Sequence, residues 1–199
     1  MPTDYRTALL NLLATHSFRL GDFTLASGAK SDYYIDCRTT TLHAEGGRLA
    51  GLVLHEMMRA HFPDAEAVGG LTMGADPLVS NIASASAWYA QDRLGAPLIH
   101  GFLVRKAEKQ HGTGRRIEGF LKLGATVVIV DDVCTTGGST ITAIEAARDA
   151  GMVVAGVLCL VDREQNNGRA NIEAALGGAK FYAAFTANDV RKAHVAIKQ

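Results

Sequence analysis

Two adjacent carboxylates, Asp131 and Asp132, separate the apolar run Thr126-Val127-Val128-Ile129-Val130 from a stretch of small hydroxyl and glycine residues, Val133-Cys134-Thr135-Thr136-Gly137-Gly138-Ser139-Thr140. A loop of this composition at a helix start presents backbone N–H groups and hydroxyls to a phosphate, and the helix dipole adds a favourable field. The two acids restrict which phosphate fits, because they would repel a bare one unless hydroxyls or a cation came between. A sugar phosphate meets both demands: its ring hydroxyls donate to Asp131 and Asp132 while its 5-phosphate fills the cradle at 135–140. A Walker-type nucleotide loop is the rival, but that pattern ends Gly-Lys-Ser/Thr, and here Gly137-Gly138-Ser139-Thr140 carries no lysine.

The elements that position these groups follow from hydrophobic pattern. The run at 126–130 is too short and too β-branched for a helix, which predicts a strand buried on both faces of a parallel sheet and ended by the two acids. Ile141, Ile144 and Ala147 then recur at helical spacing, with Gly151 as a stop. Elsewhere the same reasoning predicts a short helix at 8–13, two short strands within 18–36, and a helix over 42–62 ending before Pro63. The stretch 67–78 then passes from a short strand through a glycine-rich turn into a helix to about 93, and a strand at 97–104 follows. The chain closes with a strand at 153–161, a short helix at 172–176, a strand at 181–186 and a helix at 190–198. Asp76 reads equally as a helix cap or as part of the glycine-rich loop. The whole is an α/β alternation with a mostly parallel central sheet flanked by helices, predicted as one domain over 1–199.

The central stretch, Val-Ile-Val-Asp-Asp-Val-Cys-Thr-Thr-Gly-Gly-Ser-Thr, resembles the 5-phosphoribosyl 1-diphosphate (PRPP) signature of type I phosphoribosyltransferases. The resemblance implies that Asp131 and Asp132 hold the ribose hydroxyls and that Val133, Cys134, Thr135, Thr136, Gly137, Gly138 and Ser139 wrap the 5-phosphate. Five other stretches point to the orotate branch of that family. Phe23-Thr24-Leu25-Ala26-Ser27-Gly28 and Lys30-Ser31-Asp32-Tyr33-Tyr34-Ile35-Asp36 are similar to its N-terminal hood, so a small β-rich hood over about 1–40 is expected, with the backbone at Tyr34 and Ile35 over the pyrimidine. On pattern alone, the two tyrosines would be strand packing. Some relatives carry a lysine where Ala26 stands; Lys30 is the nearest cation that could replace it. Gly69-Gly70-Leu71-Thr72-Met73-Gly74-Ala75-Asp76-Pro77-Leu78 resembles the loop that lies against pyrophosphate.

The segment 105–118 holds five basic residues, Arg105, Lys106, Lys109, Arg115 and Arg116, against Glu108 and Glu118, with almost no apolar anchor. That composition predicts a mobile surface loop. Its Arg105, Lys106, Lys109 and His111 match the catalytic loop of orotate phosphoribosyltransferases, which closes over the leaving pyrophosphate. Val161-Asp162-Arg163-Glu164-Gln165 likewise resembles the family stretch in which the arginine, here Arg163, pairs with the orotate carboxylate; Thr135 joins Arg163, Tyr34 and Ile35 in the implied orotate subsite. The implied cofactor is Mg²⁺ carried by PRPP. No direct protein ligation is expected, Asp131 and Asp132 being the carboxylates within its reach. The implied assembly is a homodimer whose loop serves the neighbouring site.

Composition sets outer bounds. Twenty basic residues balance twenty acidic ones, which argues against nucleic-acid or membrane-surface binding as the main task. Cys37, Cys134 and Cys159 have neither zinc nor disulfide spacing, and the first residues lack an apolar signal core, so a cytoplasmic protein is expected. Two rival functions stay open: a phosphoribosyltransferase for another base, and a PRPP-sensing regulator that binds RNA.

Overall fold

The structure is a computed structural model that describes residues 4–24, 28, 30–106 and 116–199. Helix α1 (Tyr5–Leu12) starts at Asp4, whose carboxylate accepts from the backbone of Arg6 and Thr7, and runs through a π-helical turn (Leu13–Ser17) into the strands β1 (Phe18–Thr24) and β2 (Lys30–Ile35). Those strands pair antiparallel, with Phe18 opposite Ile35 and Leu20 opposite Tyr33. They are the β-rich N-terminal element that the sequence predicts.

A single turn, α2 (Arg38–Thr41), leads to α3 (Ala44–His61), β3 (Ala67–Leu71), α4 (Asp76–Gln91), β4 (His100–Val104) and β5 (Ile117–Gly119). The rest of the chain alternates regularly: β6 (Thr126–Cys134), α5 (Gly138–Asp149), β7 (Val153–Asp162), α6 (Gly168–Leu176), β8 (Lys180–Thr186) and α7 (Ala187–Ile197). The sheet order is β5-β4-β3-β6-β7-β8, and every neighbouring pair is parallel except β4 with β5.

Burial on both faces of β6 follows from its alternation. Val128 and Val130 join the core that α1, α3, α4 and α7 cover, and Val127 and Ile129 join the core beneath α5 and α6. Cutting Ile129 back to alanine would cost about 2–5 kcal/mol by the usual cavity penalty. The sheet and its helices leave little slack where β3 meets β4: a methyl group on Gly69 would stand 2.3 Å from the Phe102 ring.

Three expectations need correction. β6 does not stop at the acids; it continues to Cys134, because Asp131, Val133 and Cys134 stay in register with Cys159, Val161 and Asp162 of β7. The charged segment is not loop throughout, since Ile117–Gly119 adds an antiparallel edge strand with Val104, Leu103 and Phe102 as partners. Asp76 is not a cap: it is the first residue of α4, Ala75 holds the cap position, and the carboxylate accepts from the Thr72 hydroxyl at 2.7 Å.

Candidate active site

The C-terminal ends of β3, β4, β6 and β7 converge beneath β2 on a crevice of about 930 Å³. This is the edge at which parallel α/β sheets bind ligands, because helix N-termini and strand-end side chains face it together.

Asp131 and Asp132 lie on its floor at the end of β6. Asp131 is 8% exposed and accepts from the Thr140 hydroxyl at 2.6 Å and from the backbone N–H of Asp132 at 3.0 Å. Burial pushes its carboxyl up to about 7, with the charge of Asp132 adding to the shift and the Thr140 bond opposing it. Asp132 is also raised, first by burial and then by Asp36, while the Val133 N–H and Arg38 pull the other way. Two neighbouring acids held in this way are stabilised as carboxylates by whatever brings hydroxyl donors or positive charge into the crevice.

The loop after β6 is fixed from behind. Gly137 sits at φ 82°, the left-handed region that suits glycine, and an added Cβ would meet Ile172 Cγ1 at 2.8 Å and the Gly168 carbonyl at 2.9 Å. Asn171 Nδ2 donates to the Thr136 carbonyl at 3.0 Å, and the Arg163 N–H donates to the Cys134 carbonyl at 3.0 Å. Thr135 and Ser139 face the crevice, as does Val133. Cys134 is buried in the core beneath α5 and α6 and does not line the crevice. Thr136, Gly137 and Gly138 shape the loop and the start of α5 without lining the crevice.

Arg163 follows β7 and reaches the crevice from below β2. It is 6% exposed, yet its partners among the described residues are neutral: Nη2 donates to Ser31 Oγ at 3.2 Å and Nε to the Tyr33 hydroxyl at 3.4 Å. A buried guanidinium without a carboxylate is costly unless an anion completes it. Tyr34 and Ile35 line the same end of the crevice.

Arg105 and Lys106 also line the crevice, and Arg105 pairs with Glu118 at 3.5 Å. Lys109 and His111 lie outside the described residues, as does Ala26. Lys30 does not line the crevice; its ammonium donates to the Thr24 hydroxyl at 2.8 Å.

Residue-by-residue reading missed Asp36 and Arg38. They form a bidentate pair, Nε to Oδ1 at 2.9 Å and Nη2 to Oδ2 at 2.8 Å, and both line the crevice. The only signal available was an Asp-x-Arg spacing directly after Ile35. The loop Thr72-Met73-Gly74 also borders the crevice and brings Gly74 against Asp132.

Comparison with known proteins agrees with this geometry. Residues 93–175 match the model of the phosphoribosyl transferase domain. The orotate phosphoribosyltransferase of Thermosynechococcus vestitus is 48% identical over 162 residues, covering 81% of each chain. The Mycobacterium tuberculosis H37Rv orotate phosphoribosyltransferase superposes with a TM-score of 0.77 in its complex with Fe(III) dicitrate, at 38% identity over 94% of this chain and 98% of that one. In its complex with PRPP the TM-score is 0.72, at 32% identity over 96% and 93%. A crevice with paired acids, a phosphate-type loop and a buried arginine thus sits in a chain whose sequence and fold agree with the same group of enzymes along most of their length, and the chain belongs to the orotate phosphoribosyltransferase family.

Proposed function

We propose that the crevice transfers the phosphoribosyl group of PRPP to orotate, releasing pyrophosphate and forming orotidine 5-phosphate for pyrimidine biosynthesis. Arg163 carries the reading: a nearly buried cation with neutral partners, at the end of the crevice beside Tyr34 and Ile35, suits a planar carboxylate on a flat ring. A guanidinium fork binds such a group bidentately. Uracil and the purines bring no carboxylate to that place.

The other roles follow from position. Asp131 and Asp132 accept from the ribose 2- and 3-hydroxyls, and the loop at 133–139 takes the 5-phosphate on its backbone N–H groups, with Thr135 and Ser139 adding hydroxyls. The backbone at Tyr34 and Ile35 covers the pyrimidine. Arg105 and Lys106 stand where pyrophosphate would lie, and family resemblance adds Lys109 and His111. As the bond from the anomeric carbon to pyrophosphate lengthens, positive charge grows on the sugar and negative charge on the leaving group. Basic side chains aimed at the latter and acids held beneath the sugar favour that separation, while the two ends of the crevice keep base nitrogen and anomeric carbon in line.

The donor set fits Mg²⁺ as the family's cofactor. Asp131 and Asp132 offer hard carboxylate oxygens, and among the described residues no group of three or more His, Cys, Asp or Glu could hold a metal unaided. Mg²⁺ would be carried by PRPP, with Asp131 and Asp132 as the carboxylates within its reach, and when bound it would supply charge neutralisation at the pyrophosphate.

We further propose a cytoplasmic location and a homodimer in which the loop carrying Lys109 and His111 completes the neighbouring crevice, while Arg105 and Lys106 line the crevice of their own chain. No helix among the described residues is long and apolar enough to cross a membrane. The function is tested by pyrophosphate release from PRPP and Mg²⁺ with orotate, uracil, adenine, hypoxanthine and xanthine in turn. Orotate alone should support rapid release; equal rates with uracil or a purine would overturn the assignment.

A further inference from the structure

We infer that Ser31 and Tyr33 are positioning residues that set base selectivity by fixing the Arg163 guanidinium, although neither lines the crevice. This rests on the reading of Arg163 as the group that meets the orotate carboxylate.

The two residues alternate along β2 and so point the same way, towards Arg163, from 132 and 130 positions away in the chain. Ser31 Oγ gives its proton to the Tyr33 carbonyl at 2.7 Å, so it turns a lone pair to Arg163 Nη2 at 3.2 Å. The Tyr33 oxygen accepts from Nε at 3.4 Å, and the guanidinium carbon lies 4.7 Å from the centroid of the same ring. That ring is itself fixed, since Tyr33 is buried and stacks on Phe18 with centroids 5.4 Å apart and planes 16° from parallel. Between them, Asp32 forms an exposed ion pair with Arg191 of α7, whose guanidinium carbon lies 5.7 Å from the Tyr33 ring centroid.

An arginine has five N–H groups in one plane. Ser31 and Tyr33 occupy the side fork formed by Nε and one Nη2 hydrogen. What remains is the end fork, one hydrogen from each Nη, which is the pair that grips a carboxylate with two parallel bonds. A free arginine would lose side-chain entropy each time it met a ligand and would offer either fork. Held by β2, it has lost that freedom in advance and presents one fork. The N-terminal hairpin therefore acts on selectivity through the arginine as well as through the backbone beside the ring.

The test uses the full-length protein carrying Ser31→Ala, Tyr33→Phe or Ser31→Thr, with kcat and KM measured for orotate, PRPP and uracil. Ser31→Ala and Tyr33→Phe should each raise the orotate KM about three- to tenfold, the size expected for one lost bond of ordinary strength. The orotate kcat, the PRPP KM and uracil use should stay within about twofold. Ser31→Thr keeps the oxygen and should restore the orotate KM. An unchanged orotate KM in both alanine and phenylalanine variants would overturn the inference. So would a parallel rise in orotate and PRPP KM, which would mean that the hairpin had simply loosened. If the unmodified protein failed to prefer orotate over uracil, the reading of Arg163 itself would fall and this inference with it.

Discussion

A methyl group placed on Gly74 would stand 2.6 Å from Asp132 Oδ1. The loop after β3 therefore lies so close to the acid of β6 that a side chain at position 74 requires the Asp132 carboxylate or the loop to shift, and it borders the same crevice. Gly74→Ala should displace the carboxylate or the loop, at a cost of about 1–3 kcal/mol for an overpacked contact. We expect kcat/KM for PRPP to fall roughly 5- to 100-fold. Normal PRPP kinetics in a stably folded Gly74→Ala protein would mean that the close approach has no bearing on the sugar.

Asp131 gives the protein a pH dependence of known sign. Burial disfavours the charge and pushes its carboxyl above the ordinary value, up to about 7, in the folded protein. A group raised in this way contributes its full stability below about pH 4 and loses it as pH rises through about 7. Ligand-free protein should therefore lose up to about 1.4 kcal/mol per pH unit across that window from this residue. In Asp131→Asn this loss is absent. Thermal unfolding of both proteins from pH 5 to 8 provides the comparison, and parallel curves would contradict the shift.

The shared-site dimer can be tested by mixing two inactive proteins, Lys109→Ala and Asp132→Asn. Unfolded together in equal amounts and refolded, half the dimers are mixed. If Lys109 serves the neighbouring crevice, each mixed dimer has one site with both defects and one with neither, and roughly a quarter of wild-type activity returns under two-fold symmetry. Activity no higher than that of the separate variants, with mixed dimers confirmed by mass, would sink the shared-site proposal.

Much of this was legible in the chain, for reasons that differ from place to place. β6 and α5 announce themselves because a β-branched run, two acids and a Gly137-Gly138 turn each have few other uses. The end of β6 was not legible, since Asp131 and Asp132 look like a strand terminus until pairing with β7 keeps them in register. β5 was hidden for a similar reason: Ile117 is one apolar residue beside a charge run, and only the free edge of β4 makes it a strand. Tyr33 showed itself as packing, and it does pack on Phe18, but its contact with Arg163 joins residues far apart in sequence, which no local pattern reports. Arg38 was missed because its pairing with Asp36 is local and ordinary; the crevice gives it significance.

The most direct test of the central claim is base selectivity in Arg163→Ala. The account predicts that the unmodified protein uses orotate far better than uracil, and that the substitution lowers orotate kcat/KM by about 30- to 150-fold, the loss of about 2–3 kcal/mol from a charge-assisted bidentate contact. Uracil kcat/KM should change by no more than a few fold, so that the gap between the bases narrows from the orotate side. An equal fall for both bases, or no fall for orotate, would contradict the claim that Arg163 meets the carboxylate.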